Sequence, residues 1–164
     1  MPKTDRAAYF AQFGYTVHEG DVIAGIAARL DPVKDIPTLI RAVALAKKAC
    51  PQLRLAIAGD GKERKKLEAL TKELGLADSV FFLGWVNDLD SFYGALDINT
   101  LSSLSEAFPY ALPEGARAHL ATVASNVGGV PAIIEHGVTG LLIEPGDVRM
   151  LAAYLCLLYT SPSP

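Results

Sequence analysis

The chain has 164 residues, of which 51% are apolar and 20% charged, with 15 Lys and Arg against 18 Asp and Glu and a net charge of −3. That apolar share supports a packed core and excludes a disordered or collagen-like chain, while the absence of a basic excess argues against nucleic acid and anionic lipid as partners. The longest late apolar run, residues 151–159, is too short to span a bilayer, the opening MPKTDR has no apolar segment of a secretory signal, and two cysteines, Cys50 and Cys156, are too few for a disulfide scaffold, so the expectation is one cytoplasmic α/β domain.

In chain order, residues 1–20 read as a lead-in to the domain. Residues 21–27 (DVIAGIA) predict a buried strand. Residues 36–50 carry apolar side chains at helical spacing, with Pro37 in the first turn and Pro51 as the stop. Residues 53–58 (LRLAIA) are a second strand running into a Gly59-Asp60-Gly61 turn, and residues 62–74 form a charged surface helix closed by Gly75. A strand at 80–83, a short helix at 88–96 and a strand at 98–101 follow. A Ser-rich loop at 102–105 leads to a helix at about 110–118, then a strand at 122–124. A Gly128-Gly129-Val130-Pro131 loop precedes one helical turn at 132–135, a last strand at 140–143 and a helix from 148 to 158. The alternation predicts a Rossmann-like, three-layer α/β/α domain with a mostly parallel sheet over residues 21–154. Ligands of such folds bind at the edge where strands run into helices. The tail, residues 155–164 (LCLLYTSPSP), breaks the pattern and reads as non-native sequence, to be set aside from fold reasoning.

The most informative stretch is Ser105-Glu106-Ala107-Phe108-Pro109-Tyr110-Ala111-Leu112-Pro113-Glu114. Glu106 falls in a loop before a helix and Glu114 about one turn inside it. Two such carboxylates can accept paired hydrogen bonds from the hydroxyls of two sugar-like rings, with helix-start N–H groups between them suited to an anion. That order of sugar, phosphate and ribose is the order of a nucleotide sugar. On spacing alone, a solvated loop carboxylate and a surface helix residue remain the simpler reading. The second stretch, Arg29-Leu30-Asp31-Pro32-Val33-Lys34, follows a strand, and Arg29 and Lys34 can meet phosphate oxygens. Surface pairing with Asp31 or Asp35 is equally open.

Taken with Ala58-Gly-Asp-Gly61, Phe82-Leu-Gly-Trp-Val86, Gly128-Gly-Val-Pro131, Gly137-Val-Thr-Gly-Leu-Leu142 and Pro145-Gly-Asp147, these stretches occur in an order that resembles the C-terminal, donor-binding domain of family-4 (group 1) retaining glycosyltransferases of the two-domain GT-B fold. The resemblance covers about residues 20 to 150 and implies a set of roles. Arg29 and Lys34 would neutralise the donor diphosphate in place of a metal, and Glu106 would hold hydroxyls of the transferred sugar. Backbone around Phe108, Pro109 and Tyr110 would meet sugar and phosphate. Glu114 would bind the ribose and Val86 the base, with Gly59 and Gly61 also among the donor-binding positions. It further implies electrostatic catalysis with retention, a nucleotide-diphosphate sugar as donor and no metal or other cofactor. The partner would be a missing N-terminal acceptor domain of the same parent, to which any peripheral membrane contact would belong. The fragment alone would bind donor weakly and transfer nothing. Departures are Ala107 and His119 where the family usually has Gly, Pro113 before Glu114, Ala121 where it usually has Pro, and Ala132 where it often has Glu.

Other signals carry less. Asp88-Leu89-Asp90 imitates an Asp-x-Asp metal motif, but Asn87 or Asp88 is better read as a helix cap. Gly59-Asp60-Gly61-Lys62 has the wrong spacing for a P-loop. His18, His119 and His136 share no ligand spacing, Cys50 reads as a core thiol, and Lys62 to Lys66 as a solvated face. Trp85 suits base stacking or a core or rim position. A dinucleotide-dependent oxidoreductase would need G-x-G-x-x-G after the first strand, which Gly25 alone does not supply. A non-catalytic nucleotide or sugar-phosphate-binding domain on the same fold is the other alternative.

Overall fold

Six short apolar runs become the strands of one parallel sheet in the computed structural model, which describes residues 5–160. They are β1 (Val22–Ala27), β2 (Leu53–Ala58), β3 (Val80–Gly84), β4 (Ile98–Leu101), β5 (Ala121–Ser125) and β6 (Leu141–Ile143), in the spatial order β3-β2-β1-β4-β5-β6. Every pairing is parallel. Strands buried on both faces need apolar residues at nearly every position, which is why β1 and β2 read as continuous runs. The chain builds outward from β1 to β3, returns to the other side of β1 as β4, and then builds the opposite way. The loops after β1 and β4 therefore diverge, leaving a crevice at the carboxyl ends of the strands.

The helices are α1 (Arg6–Ala11), α2 (Ile36–Ala46), α3 (Arg64–Glu73), α4 (Leu89–Gly94), α5 (Ala111–Arg117) and α6 (Val148–Thr160). Alternation along the strands sorts them into two layers. Ala24, Ile26, Leu55, Ile57 and Val123 pack with Leu39, Ile40 and Val43 of α2, Leu67 of α3 and Leu151 and Leu155 of α6. Ile23, Ala56, Phe81 and Leu83 face Phe10 of α1 and Phe92 and Tyr93 of α4, and Leu101 and Ala124 face Leu112 of α5. Gly25 lies where a Cβ would stand 2.4 Å from Leu96 Cδ1, so its place in β1 is a packing requirement.

The predicted three-layer α/β fold is the one observed. The helix expected over 36–50 ends at Ala46, and the chain then turns toward Cys50. The helical turn expected at 132–135 is a 3-10 turn at Val130–Ala132, started by Pro131. α1 has no counterpart in the sequence reading. It is capped by Asp5, fully buries Phe10, and is tied to the start of β4 by Arg6, whose guanidinium forks onto Asp97 at 2.8 and 2.9 Å. Burying a side chain like Phe10 is worth about 2–3 kcal/mol. Just beyond α1, the Tyr15 hydroxyl accepts from Phe82 N (3.0 Å) and donates to Phe82 O (3.3 Å) on the outer side of the edge strand β3, while its ring stacks on Phe81 at 4.7 Å.

Of the residues set aside as a tail, 155–160 continue α6, with Leu155 buried and the Cys156 sulfur 2.8 Å from that of Cys50. Residues 161–164 of that tail and 1–4 of the lead-in lie outside the described residues. Among the described residues, no helix is long and apolar enough to cross a membrane.

Candidate functional site

At the carboxyl edge of the sheet, the chain leaving β1 is zipped onto the turn leaving β2. Ala28 N donates to Ala58 O, Leu30 N to Asp60 O and Glu63 N to Leu30 O, at 3.0, 3.0 and 2.9 Å. The approach is close enough that side chains are excluded. A Cβ on Gly59, whose φ is +145°, would lie 1.8 Å from Ala28 O, and one on Gly61 would lie 2.8 Å from Leu30 N and O. This welded floor, the 85–87 loop after β3 and the start of α5 enclose a cleft of about 320 Å³. Arg29, Gly59, Val86, Tyr110 and Glu114 line it, five of the positions proposed from sequence. Gly61 faces Leu30 instead, and so supports the cleft from behind. Phe108 is exposed outside the cleft, its ring 6.4 Å from that of Tyr110, and Pro109 is buried, accepting from Leu112 N at 3.0 Å to start α5.

The remaining two predicted residues come together with each other. Lys34, at the end of the 3-10 turn Pro32–Lys34, places Nζ 2.7 Å from Glu106 Oε1, and Ser103 Oγ donates to the same oxygen at 2.8 Å. The side chains are 23% and 9% exposed, so this pair is shielded far more than a surface contact. Backbone holds it in place: Ser102 Oγ donates to Lys34 O, and Leu104 N to Val33 O, both at 2.8 Å. From the other side Gly129 N donates to Glu106 O at 3.0 Å, and Gly128, at φ +50°, approaches so closely that a Cβ would be 1.7 Å from that oxygen. Glu106 is thus not a solvated loop carboxylate. Arg29 differs: its guanidinium is 77% exposed and meets Asp31 at 3.2 Å, the surface pairing left open by the sequence, while still lining the cleft.

α5 carries Glu114 to the cleft wall. Tyr110 caps it, so Pro113 falls in the first turn, where its missing N–H breaks no helical bond. Gly115 lets the helix sit directly on β4, since a Cβ there would be 2.3 Å from Asn99 Nδ2, which donates to Ala111 O at 3.0 Å. Ala107 does not sit in the left-handed region, so its side chain introduces no backbone strain beside Glu106. His119 does, at φ +60°.

Sequence reasoning missed Tyr93 and Asn99. Tyr93 lines the cleft from α4 yet is buried, and its hydroxyl makes no well-formed hydrogen bond among the described residues. Burial first, and then the facing Glu114 carboxylate, push its ionisation far above the ordinary phenol range. A tyrosine inside a short apolar helix carries no local mark that separates it from a core residue.

Asp88 caps α4, accepting from Ser91 N at 3.1 Å, as read from the sequence. Trp85 stands 75% exposed at the cleft rim, donating from Nε1 to Asn87 Oδ1 at 2.8 Å. His136 is used structurally, its Nδ1 accepting from Leu142 N at 3.0 Å. Among the described residues, no three His, Cys, Asp or Glu side chains converge as a metal site.

A parallel sheet in this order, with a cleft at its switch point and carboxylates on α5 and the preceding loop, is the architecture of one half of a GT-B glycosyltransferase. The family model for "Glycosyl transferases group 1" matches residues 10–163, and the chain belongs to that family. The lipopolysaccharide core biosynthesis glycosyltransferase LpsD of Rhizobium meliloti is 36% identical over 79% of this chain. The D-inositol 3-phosphate glycosyltransferase of Mycobacterium sp. (strain KMS) is 33% identical over 88%. The chain spans 37% and 33% of the lengths of those two proteins. Among solved structures, Anabaena Alr3699/HepE in complex with UDP and glucose superposes with a TM-score of 0.86 at 29% identity, covering 98% of this chain and 44% of the other. The C-terminal domain of LpcC, a group 1 family protein of Francisella tularensis, superposes at 0.82 and 26% identity, covering 96% of this chain and 83% of that domain.

Proposed function

We propose that the chain is the donor-binding half of a retaining glycosyltransferase, which moves a sugar from a nucleoside-diphosphate sugar to an acceptor held by a domain outside this sequence. The observation that carries the reading is the cleft at the switch point, with Glu114 on its wall and the Lys34–Glu106 pair on the same sheet edge. The complex of the Anabaena neighbour with UDP and glucose supports it.

The chemistry follows from charge. As the glycosidic bond breaks, negative charge grows on the departing diphosphate, and preorganised cations stabilise that charge most in a water-poor site. Lys34 supplies one such cation and Arg29, freed from its exposed contact with Asp31, a second. When Lys34 turns to the phosphate, Glu106 Oε1 gives up one donor and can accept from a sugar hydroxyl in its place, while Ser103 keeps the carboxylate oriented. Glu114 accepts from the vicinal hydroxyls of the ribose. No step requires a metal.

Calorimetric titration of this chain with UDP, GDP, UDP-glucose and GDP-mannose tests the binding. Saturable binding of at least one nucleotide, weakened but still measurable in Glu114→Ala, is expected; no binding of any at millimolar concentration overturns the reading. In the full-length parent, Glu106→Ala should cut transfer by roughly 10²-fold or more, and EDTA should leave transfer unchanged. Strict metal dependence would refute the scheme.

A further inference from the structure

Among the described residues that line the cleft, Tyr93 carries a buried side-chain polar atom with no well-formed hydrogen bond. The Tyr93 ring is 1% exposed, held by α4 against the strand face that carries Phe81 and Leu83, and its enclosed hydroxyl is within reach of the Glu114 carboxylate but makes no well-formed hydrogen bond to it. Enclosing such a group unmatched is unfavourable, and phenylalanine would fill the same space without that penalty. Tyr93 and Glu114 line the same cleft. The carboxylate is near enough to be, after burial, the main opponent of phenol ionisation, with the Arg117 guanidinium acting weakly the other way. A neutral phenol beside a carboxylate is a hydrogen-bond donor facing an acceptor, so the group stays protonated and available to donate at any pH of use.

We infer that Tyr93 is a positioning residue: its O–H donates to Glu114 when a nucleotide enters the cleft, and so turns the carboxylate toward the ribose hydroxyls. This rests on the proposed function and adds to it a residue that acts through Glu114. A carboxylate can accept from several groups at once. One Glu114 oxygen held by Tyr93 therefore leaves acceptor sites for a vicinal diol, at a fixed angle rather than over a cone of rotamers.

The test is Tyr93→Phe, titrated with UDP or GDP, whichever the wild-type chain binds, and with the 2′,3′-dideoxy form of the same nucleotide. The variant should melt no lower than wild type and should bind the ribonucleotide about tenfold more weakly. It should bind the dideoxynucleotide as wild type does, because Glu114 then has no hydroxyls to meet. In a Glu114→Ala background, Tyr93→Phe should have no further effect. Equal ribonucleotide affinity of Tyr93→Phe and wild type overturns the inference and leaves the proposed function standing. Equal loss on both nucleotides also overturns it, because that is the mark of a merely structural role. If wild type binds none of UDP, GDP, UDP-glucose and GDP-mannose, the proposed function falls and this inference with it.

Discussion

His119→Gly should stabilise the chain. His119 follows α5 in a left-handed conformation, φ +60°, and two bonds hold it there: His119 N to Ala116 O at 3.0 Å and Leu120 N to Gly115 O at 3.1 Å. This is the Schellman closure, whose left-handed residue is most often glycine. A side chain in that conformation costs about 1–2 kcal/mol. Glycine removes the strain but gains freedom in the unfolded chain, returning about 0.5–1 kcal/mol. His119 is exposed, so little packing is lost. The net expectation is a gain of about 0.5–1 kcal/mol, or roughly 1–4 °C in melting temperature for a domain of this size. Thermal and urea denaturation measure it. His119→Ala is the control, since it keeps the positive φ and should not raise the melting temperature. A His119→Gly chain that melts at or below wild type would refute the reasoning, because the closure would then hold His119 without strain.

Gly115→Ala, by contrast, drives a methyl into Asn99 Nδ2 at 2.3 Å and should cost about 1–3 kcal/mol in urea unfolding while weakening nucleotide binding through the displaced α5. Asp88→Ala should lower the melting temperature at neutral pH without altering metal content. The Ser91 side-chain and backbone donors hold the Asp88 carboxyl below its usual range, so its contribution is present above the ordinary Asp value near ~3.9 and fades as pH falls through the depressed one. Wild type and variant should therefore converge in acid; a constant gap would count against the cap. Oxidised glutathione should link Cys50 to Cys156 by exchange, releasing two reduced glutathiones, with the product seen by mass and absent in Cys50→Ser. Burial first and Cys156 second push the Cys50 thiol to about 11, so it is mostly protonated at neutral pH and its attack should quicken as pH rises.

Much of the fold was legible because both of its periodicities are local. Residues 53–58 and 98–101 are short apolar runs bounded by turns, and their strands begin and end as read. α1 escaped because RAAYFA is too short to show a helical stripe; what fixes it is Phe10 in the core and Arg6 on Asp97, 91 residues away. The site divides in the same manner. Glu114 and Val86 could be placed in a cleft from the strand-to-helix alternation, and Gly59 from its turn. The bond between Lys34 and Glu106 joins two loops 72 residues apart, and spacing carries no such information. Nor does it mark Tyr93, which the packing of α4, rather than a motif, buries beside Glu114.

The Tyr15 hydroxyl bears on how the molecule behaves in company. An edge strand offers unpaired N–H and C=O groups to any other chain with a free edge. At Phe82, in the middle of β3, one side chain from the lead-in satisfies both groups and covers Phe81 with its ring. A chain begun at Asp21 would keep all six strands and the cleft, but it would bare that edge and the aromatic surface beside it. Such a chain should self-associate through β3 as its concentration rises. The segment before the first strand thus guards the β3 edge of the sheet against extension by a neighbour.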